Sequence, residues 1–462
     1  MIAYHAARRA VMIAAGFIIL ATGIAMVVLP GPAILVIPLG LSLLAGEFIW
    51  ARRLLARINA IKDHFAPAKE RLMTAPLKKL TNEFLRFIES EKAGGVLLIL
   101  CTAFSLVMAN SAFGREYADF WRWTLGGLSL EHWINDALMA IFFLLIGLEI
   151  ERELYSGELS NIQSALLPLF AALGGLIAPA LIHYTLNAGT MAQAGIGIPM
   201  ATDIAFAVGI IAILGNRIPA ALKVLIVAFA VMDDLAAIIL IAMFYTANLS
   251  AGYLIAALAV WALLAALNRI FRVMSLTPYI LGGAVLWFLM LESGIHATVA
   301  GIMLAFAIPF SSKGDDARSP SYRLEHILHK PVAFVILPIF ALANTAVTID
   351  SGWMRELTSP NSLGIAAGLL IGKPLGLSLA CFAAVYSGIC RLPEGLRWRH
   401  VFGAGLLGGI GFTMSIFINN LAFAGNAALI NDSKIAIFFA SLTAGIAGYA
   451  WLALHSPREQ EN

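Results

Sequence analysis

The chain has 462 residues, of which 60% are hydrophobic and only 12% are charged, and its formal net charge is +3. Soluble globular proteins carry about 25% charged residues. The composition therefore excludes an ordinary soluble domain and predicts a polytopic, all-α membrane protein. The small net charge argues against a nucleic-acid partner. Cys101, Cys381 and Cys390 lack metal-like spacing, which excludes a disulfide framework and a zinc site, and we expect no cofactor.

The first 60 residues predict a two-helix membrane module. Arg8 and Arg9 precede an apolar run that ends at Leu29, which is compatible with a signal peptide, but a second apolar run follows at 33–45. A retained hairpin with its tip at PGP, residues 30–32, fits this pattern better. The segment GFIILATGIAMVVLPGPAILVIPLGLSLLAGEFIWARRLL resembles a small membrane module known by a PGPGW-like motif, although here the motif reads PGPAI.

Hydropathy predicts about 14 membrane helices in total. After the two N-terminal segments, 11–28 and 33–50, comes an amphipathic linker at 61–92, then a twelve-helix domain at 93–455 and a tail at 456–462. The apolar segments of this domain lie near 93–110, 132–152, 162–186, 191–214, 219–245, 249–268, 276–291, 295–310, 327–347, 361–385, 400–422 and 433–453.

The distribution of basic residues predicts the orientation. With both termini inside, 25 of the 30 Lys and Arg residues fall on the inside and only Arg115, Arg122, Arg355 and Lys434 fall outside. The positive-inside rule then favours an even number of helices and cytoplasmic termini.

Two of the twelve segments are interrupted by glycine and proline. One is GIGIPMATDIAFAVGIIAILG, with Thr202 and Asp203 at its middle, and the other is GAGLLGGIGFTMSIFI. Glycine in a membrane helix often only permits close packing. Here both segments occupy corresponding places in two halves of the domain, fourth and eleventh, and such pairs point to a transporter binding site.

Four charged residues lie far from the ends of their segments: Asp203, Asp233, Asp234 and Lys373. A structural ion pair is one interpretation of any one of them. Three acids and one base in apolar surroundings favour an ion path or a proton relay. Neighbouring carboxylates out of water bind protons more tightly, and they also supply the oxygen ligands that hard cations prefer. A proton and a cation would then compete for the same acid. Lys373 could pair with Asp233 or Asp203.

Several motifs resemble those of the NhaA-type sodium/proton antiporters: NDALMAIFFLLIGLEIEREL, ATDIAFAVG, AFAVMDDLAAIIL, HATVAGIMLAF, RLEHILHKPVAFVILPIFALANT, IGKPLGLSL and GGIGFTMSIFI. The resemblance runs from about residue 80 to 455. It implies a fold with inverted repeats and two broken, crossing helices. It also implies exchange of sodium or lithium for protons across a bacterial cytoplasmic (inner) membrane, for pH and sodium homeostasis, by a homodimer that is not an enzyme.

The resemblance also assigns roles to residues. Asp233 and Asp234 match the pair that binds the proton and the transported cation, with Asp234 as the favoured direct ligand. Lys373 matches the buried lysine that pairs with Asp233, and Thr202 and Asp203 match the crossing-point residues. The positions linked to pH response or to the entry funnel are Glu149, Glu153, His296, Glu325, His326 and His329, although polar surface positions would look the same in the sequence.

Two other functions remain open from the residues alone. An intramembrane aspartyl protease could use Asp203 and Asp233 as a dyad that shares one proton. It would need neither a buried lysine nor a second aspartate, and the chain lacks a Gly-x-Gly-Asp motif. A sodium-coupled symporter would need a larger polar pocket than the few intramembrane polar residues supply. Antiport is the favoured function.

Overall fold

The computed structural model describes Leu41 and residues 51–52, 91–157, 160–245, 249–310, 319–349 and 352–455. The predicted N-terminal hairpin, the linker and the tail lie outside these described residues. The remainder is almost entirely helical, and its one sheet is a two-stranded hairpin of β1 (Thr124–Leu125) and β2 (Leu128–Ser129). The predicted all-α membrane architecture is confirmed.

The helices follow one another with short connections. They are α1 (Glu91–Ala109), α2 (Gly114–Arg122), α3 (Leu130–Tyr155), α4 (Ile162–Asn187), α5 (Ile204–Leu214), α6 (Ala220–Phe244), α7 (Ala251–Arg269), α8 (Thr277–Ser293), α9 (Val299–Ala305), α10 (Pro320–Asn344), α11 (Trp353–Leu357), α12 (Pro360–Tyr386), α13 (Trp398–Gly408), α14 (Phe412–Ala422) and α15 (Ala427–His455). A 3-10 helix, Met191–Met200, precedes α5.

In the described part of the chain, eight helices are long and apolar enough to cross a membrane, and two bent pairs could raise the number to ten. The segment predicted at 295–310 is shorter than a span, because Gly294 takes a left-handed conformation that ends α8 and helix α9 begins only at Val299. Helix α8, at 17 residues, is also slightly short of the length of a membrane span. The count of twelve spans therefore stays a prediction.

The described residues form two compact units. The smaller contains residues up to His132 together with Ala333–Ala346, and the larger contains Trp133–Val332 and the chain from Val347 onward. Within the smaller unit, Ser105 Oγ and Tyr117 OH donate hydrogen bonds of 2.9 and 2.7 Å to the Leu342 carbonyl.

Within the larger unit, glycines allow α4 and α12 to pack backbone against backbone. A Cβ on Gly174 would lie 2.1 Å from the Gly376 carbonyl oxygen, and a Cβ on Gly376 would lie 2.2 Å from that of Gly174. Helices in a membrane gain little from the hydrophobic effect and associate instead through such close contacts. This packing places Lys373 of α12 against Gly175 of α4.

Candidate functional site

Both predicted helix breaks are present, and they meet. The first helix stops at Met200, continues as extended chain through Asp203, and resumes as α5 at Ile204. The second breaks between α13 and α14 with a bend of 46°. The Asp203 amide donates a 2.6 Å hydrogen bond to the Ile410 carbonyl. The two interrupted segments therefore touch at their unwound residues, where backbone groups are free to bind something other than their own helix.

Asp203 joins the N-terminal ends of two helices. Its Oδ1 accepts a 3.2 Å bond from the Phe206 amide and so caps α5. Its Oδ2 accepts bonds from the amide of Thr413 at 3.0 Å and from the Thr413 hydroxyl at 2.5 Å, at the start of α14. Helix N-termini carry partial positive charge, and a carboxylate there is stabilised by the dipole and by the unpaired N–H groups. Asp203 is buried, and both of its carboxylate oxygens accept hydrogen bonds.

The Lys373 ammonium occupies the complementary position, at the C-terminal end of the 3-10 helix. Lys373 follows a π-helical turn of α12, Gly368–Gly372, and its side chain is fully buried. The ammonium lies 2.5 Å from Asp233 Oδ2 and also donates to the carbonyl of Met200, the last residue of the 3-10 helix. The partial negative charge of a helix C-terminus and the carboxylate together offset the buried positive charge.

Thr202 completes the surroundings of Asp233. Its hydroxyl lies 2.7 Å from Asp233 Oδ2 and 2.9 Å from the Gly408 carbonyl at the end of α13. One hydroxyl hydrogen serves only one of these acceptors at a time. Asp233 Oδ2 thus accepts from Lys373, and also from Thr202 when that hydroxyl does not point to Gly408, while its Oδ1 is buried with no hydrogen-bond partner in the described part of the chain.

Asp234 differs from the other charged residues. It lies on the same helix, α6, and is 1% exposed, yet neither of its carboxylate oxygens has a hydrogen-bond partner among the residues that the structure describes. Consecutive helical residues point about 100° apart, so the lysine that pairs with Asp233 does not also pair with Asp234. We call Asp203, Asp233, Asp234 and Lys373 the charged centre.

Five of the six predicted pH-response or funnel residues lie at the C-terminal end of α3 and in the N-terminal half of α10. Arg152 binds Glu325 at 3.1 Å and Glu153 at 3.5 Å, and Glu149 lies 4.0 Å from His329. His326 is exposed and stacks on Tyr322. We call Glu149, Arg152, Glu153, Glu325 and His329 the end cluster.

The sixth of these residues, His296, lies elsewhere. Its Nε2 is 3.7 Å from Asp136, and its ring packs edge-on against Phe417 of α14. Asp136 lies in a π turn near the start of α3, about 20 Å along that helix from Glu149. His296 was predicted to share a pH-response or funnel role with these residues, and the structure places it beside Asp136, near the start of α3.

Comparison with known proteins gives a clear relationship. A model of the family described as Na+/H+ antiporter 1 matches residues 85–452, and a model described as putative transmembrane protein (PGPGW) matches residues 9–61. The chain belongs to the Na+/H+ antiporter 1 family. The antiporter is 64% identical to a protein from Dechloromonas aromatica named Na(+)/H(+) antiporter NhaA, over 83% of this chain and 98% of that protein.

Other relatives of the antiporter carry the same name. A protein from Cytophaga hutchinsonii is 57% identical over 81% of this chain and 96% of its own length, and one from Vibrio parahaemolyticus is 47% identical over 82% of this chain and its full length. Family membership makes the antiporter a transporter and not an enzyme. The protease dyad finds no support in the geometry either, because Asp203 and Asp233 are each bound to other groups.

The sequence missed several members of the site. Thr413 binds Asp203, and the carbonyls of Met200 and Gly408 bind Lys373 and Thr202. Backbone carbonyls have no side-chain signature, so only the helix breaks could have indicated them. Glu151 was also missed: it is buried beside the end cluster and accepts a 3.1 Å bond from Ser321. Across the described part of the chain, no group of three His, Cys, Asp or Glu residues is placed to hold a resident metal ion.

Proposed function

We propose that the antiporter exchanges sodium or lithium ions for protons at Asp234, with Asp233 and Lys373 as the neighbouring pair that responds to occupancy. The observation that carries this proposal is the state of the Asp234 carboxylate, which is buried and has no hydrogen-bond donor among the described residues. An isolated carboxylate in that position is too costly to remain charged, so it needs either a proton or a cation.

Exchange follows because a proton and a cation compete for the Asp234 carboxylate. A hard cation takes several oxygen ligands, and the unpartnered oxygens of Asp234, with Oδ1 of Asp233, supply carboxylate oxygens on adjacent residues of α6. When a sodium ion binds, the proton on Asp234 must leave, and when a proton returns the sodium ion must leave. If the site opens to only one side of the membrane at a time, each cation carried one way is exchanged for protons carried the other way.

The ion pair of Lys373 and Asp233 responds electrostatically when a cation binds at the neighbouring Asp234. The ammonium is held between the Asp233 carboxylate and the Met200 carbonyl. A cation that approaches Asp233 Oδ1 repels this ammonium and weakens its hold. Because the two acids and the lysine interact closely, their protons are released as a group rather than residue by residue.

We also propose how the antiporter sits in its membrane. The 25-to-4 asymmetry of basic residues supports cytoplasmic N- and C-termini in a bacterial cytoplasmic membrane, where sodium/proton exchange serves pH and sodium homeostasis. Residues 1–60 act as an additional anchor, residues 61–92 as a linker and residues 93–455 as the transport domain. Two copies of the chain form the functional homodimer.

The end cluster is the proposed entry and pH-response region. Its acids pair with Arg152 and His329, whose side chains are partly exposed to water, so the pairing changes with the protonation of His329 and of the acids. The exposure of Arg152 and His329 supports a role in sensing the aqueous phase rather than in binding the transported ion.

The test of the proposed site is exchange in inside-out vesicles that hold a pH gradient. Addition of sodium or lithium should dissipate the gradient in the parent protein, and potassium serves as the comparison ion. Asp234→Asn should abolish dissipation at every sodium concentration, because a carboxamide neither releases a proton nor carries charge. The matched control is Asp119→Asn, an exposed acid on α2, which should exchange normally. Normal exchange by Asp234→Asn would refute the assignment of the site.

A further inference from the structure

A buried polar network outside the charged centre connects three helices of the larger unit. His183 of α4 lies with its Nε2 3.2 Å from Asn361 Oδ1 at the start of α12, and Asn361 Nδ2 donates a 2.8 Å bond to Ser433 Oγ of α15. One turn after His183, Asn187 donates to the carbonyls of His183 and Pro360. All four side chains are at least 95% buried.

The partners determine which ring nitrogen of His183 carries the hydrogen. Because Asn361 uses its amide nitrogen to donate to Ser433, it presents its oxygen, an acceptor, to His183 Nε2. With the Asn361 amide in this orientation, Nε2 is the donor, and in the neutral ring Nδ1 is a bare acceptor. That Nδ1 atom is buried with no hydrogen-bond partner in the described part of the chain.

A second bare acceptor lies close by. Asn187 uses its nitrogen for two carbonyls, which leaves its Oδ1, and this oxygen is likewise buried and unpartnered within the described residues. Residues four apart on a helix share one face, with Cβ atoms about 5–6 Å apart. Two neighbouring acceptors cannot satisfy each other, and leaving both unsatisfied in a buried site is costly.

The space around the imidazole is kept by glycines. A Cβ on Gly364 of α12 would lie 2.9 Å from His183 Cδ2, and a Cβ on Gly195 of the 3-10 helix would lie 3.3 Å from His183 Cε1. The Cε1 atom lies between the two ring nitrogens, so this edge of the imidazole faces the 3-10 helix. The site is about 12 Å along α4 from Gly175, against which Lys373 packs.

We propose that His183 and Asn187 bind one buried water molecule, which donates a hydrogen to each of them. Water fits because it is neutral, carries two donor hydrogens and is the usual partner of buried polar groups that protein atoms leave unsatisfied. It closes the network between α4, α12 and α15 beside the first broken helix. The site is separate from Asp234 and does not depend on the function proposed for that residue.

Two measurements on the full-length protein test this site. The first is a structure in lipid at a resolution that shows ordered water, which should contain a peak within about 3 Å of both His183 Nδ1 and Asn187 Oδ1. Direct contact between the two atoms, or no density between them, would overturn the proposal.

The second is solid-state NMR on histidine-labelled protein, in which the His183 ring signal is identified by its loss in His183→Gln. The ring should be neutral, hydrogenated on Nε2, and should receive magnetisation from water. The transfer should disappear in Asn187→Leu and persist in the matched control Thr185→Val, an exposed residue between the two. A doubly protonated ring in the parent would show that a proton, not water, satisfies the pair. No transfer in the parent would equally refute the water site.

Discussion

The charged centre and the end cluster contain the same kinds of residue in opposite circumstances. In the centre, Asp233 and Lys373 are fully buried and are bound by each other, by a hydroxyl and by the carbonyl end of a broken helix. In the end cluster, the side chains of Arg152 and His329 are 43% and 69% exposed and pair with acids at 3.1–4.0 Å. Water offsets charge at the helix end, whereas only protein groups, a proton or a cation can do so in the middle.

This difference in exposure suits the charged centre to binding the ion and the end cluster to sensing the pH and salt of the aqueous phase. Exposed ion pairs are worth about 0–1 kcal/mol and respond to pH and salt, which suits a region that reports on the aqueous phase. Buried ion pairs are costly to break, so Asp233 and Lys373 stay paired until a proton or a cation neutralises the carboxylate instead. The substitutions below test the comparison, beginning with the largest expected effect.

Lys373→Ala should destabilise the antiporter by about 3–5 kcal/mol, because it leaves the Asp233 carboxylate buried and without its counter-charge. The loss should shrink as pH falls, since protonation of the orphaned acid removes its charge. Thermal unfolding in detergent across pH measures both. Lys330→Ala, an exposed lysine of α10, is the control and should change little. The double variant Lys373→Met with Asp233→Asn should recover most of the stability, and a double variant as unstable as Lys373→Ala would contradict the pairing.

Thr413→Val should cost about 1.5–3 kcal/mol, the worth of a hydrogen bond to a charged group. The variant keeps the backbone N–H bond to Asp203 and loses only the 2.5 Å hydroxyl bond. Thr443→Val is the control, because that exposed hydroxyl bonds only to a carbonyl of its own helix. Equal unfolding temperatures for the two variants would show that the Thr413 hydroxyl bond to Asp203 does not stabilise the fold.

Arg152→Gln should change the free energy of unfolding by less than about 1 kcal/mol, since the arginine side chain is 43% exposed and water screens its ion pairs. The expected effect is on regulation: the pH at which exchange reaches half its maximum should move, and the shift should diminish at high salt. Arg323→Gln, an exposed arginine of α10, is the control. Destabilisation as large as that of Lys373→Ala would erase the distinction between the two regions.

The sequence predicted much of the charged centre because its members are conspicuous. A charge in an apolar run stands out, and so do glycines that interrupt a helix, so Asp203, Asp233, Asp234, Lys373 and both breaks could be named in advance. Which lysine pairs with which aspartate depends on helix packing, and the carbonyls of Met200 and Gly408 leave no trace in a residue pattern.

The lengths of the membrane helices were harder to predict than their positions in the sequence. The apolar run at 295–310 looked like a membrane helix, but hydropathy does not register the left-handed Gly294 or the late helix start at Val299. His296 was predicted to share a role with residues of the end cluster, and no sequence pattern shows that it lies apart from them. Its true neighbour, Asp136, lies in a π turn that sequence periodicity does not reveal.

The most direct test of competition at Asp234 is the apparent KM for sodium measured against pH in vesicles. If one proton and one sodium ion compete for a single carboxylate, the KM should rise about tenfold for each unit that pH falls below the point where the site protonates, while the maximal rate stays constant. Variants of the end cluster should keep this slope even where they shift the pH range of activity. A KM that does not change with pH, with a maximal rate that does, would contradict a shared site for the proton and the sodium ion.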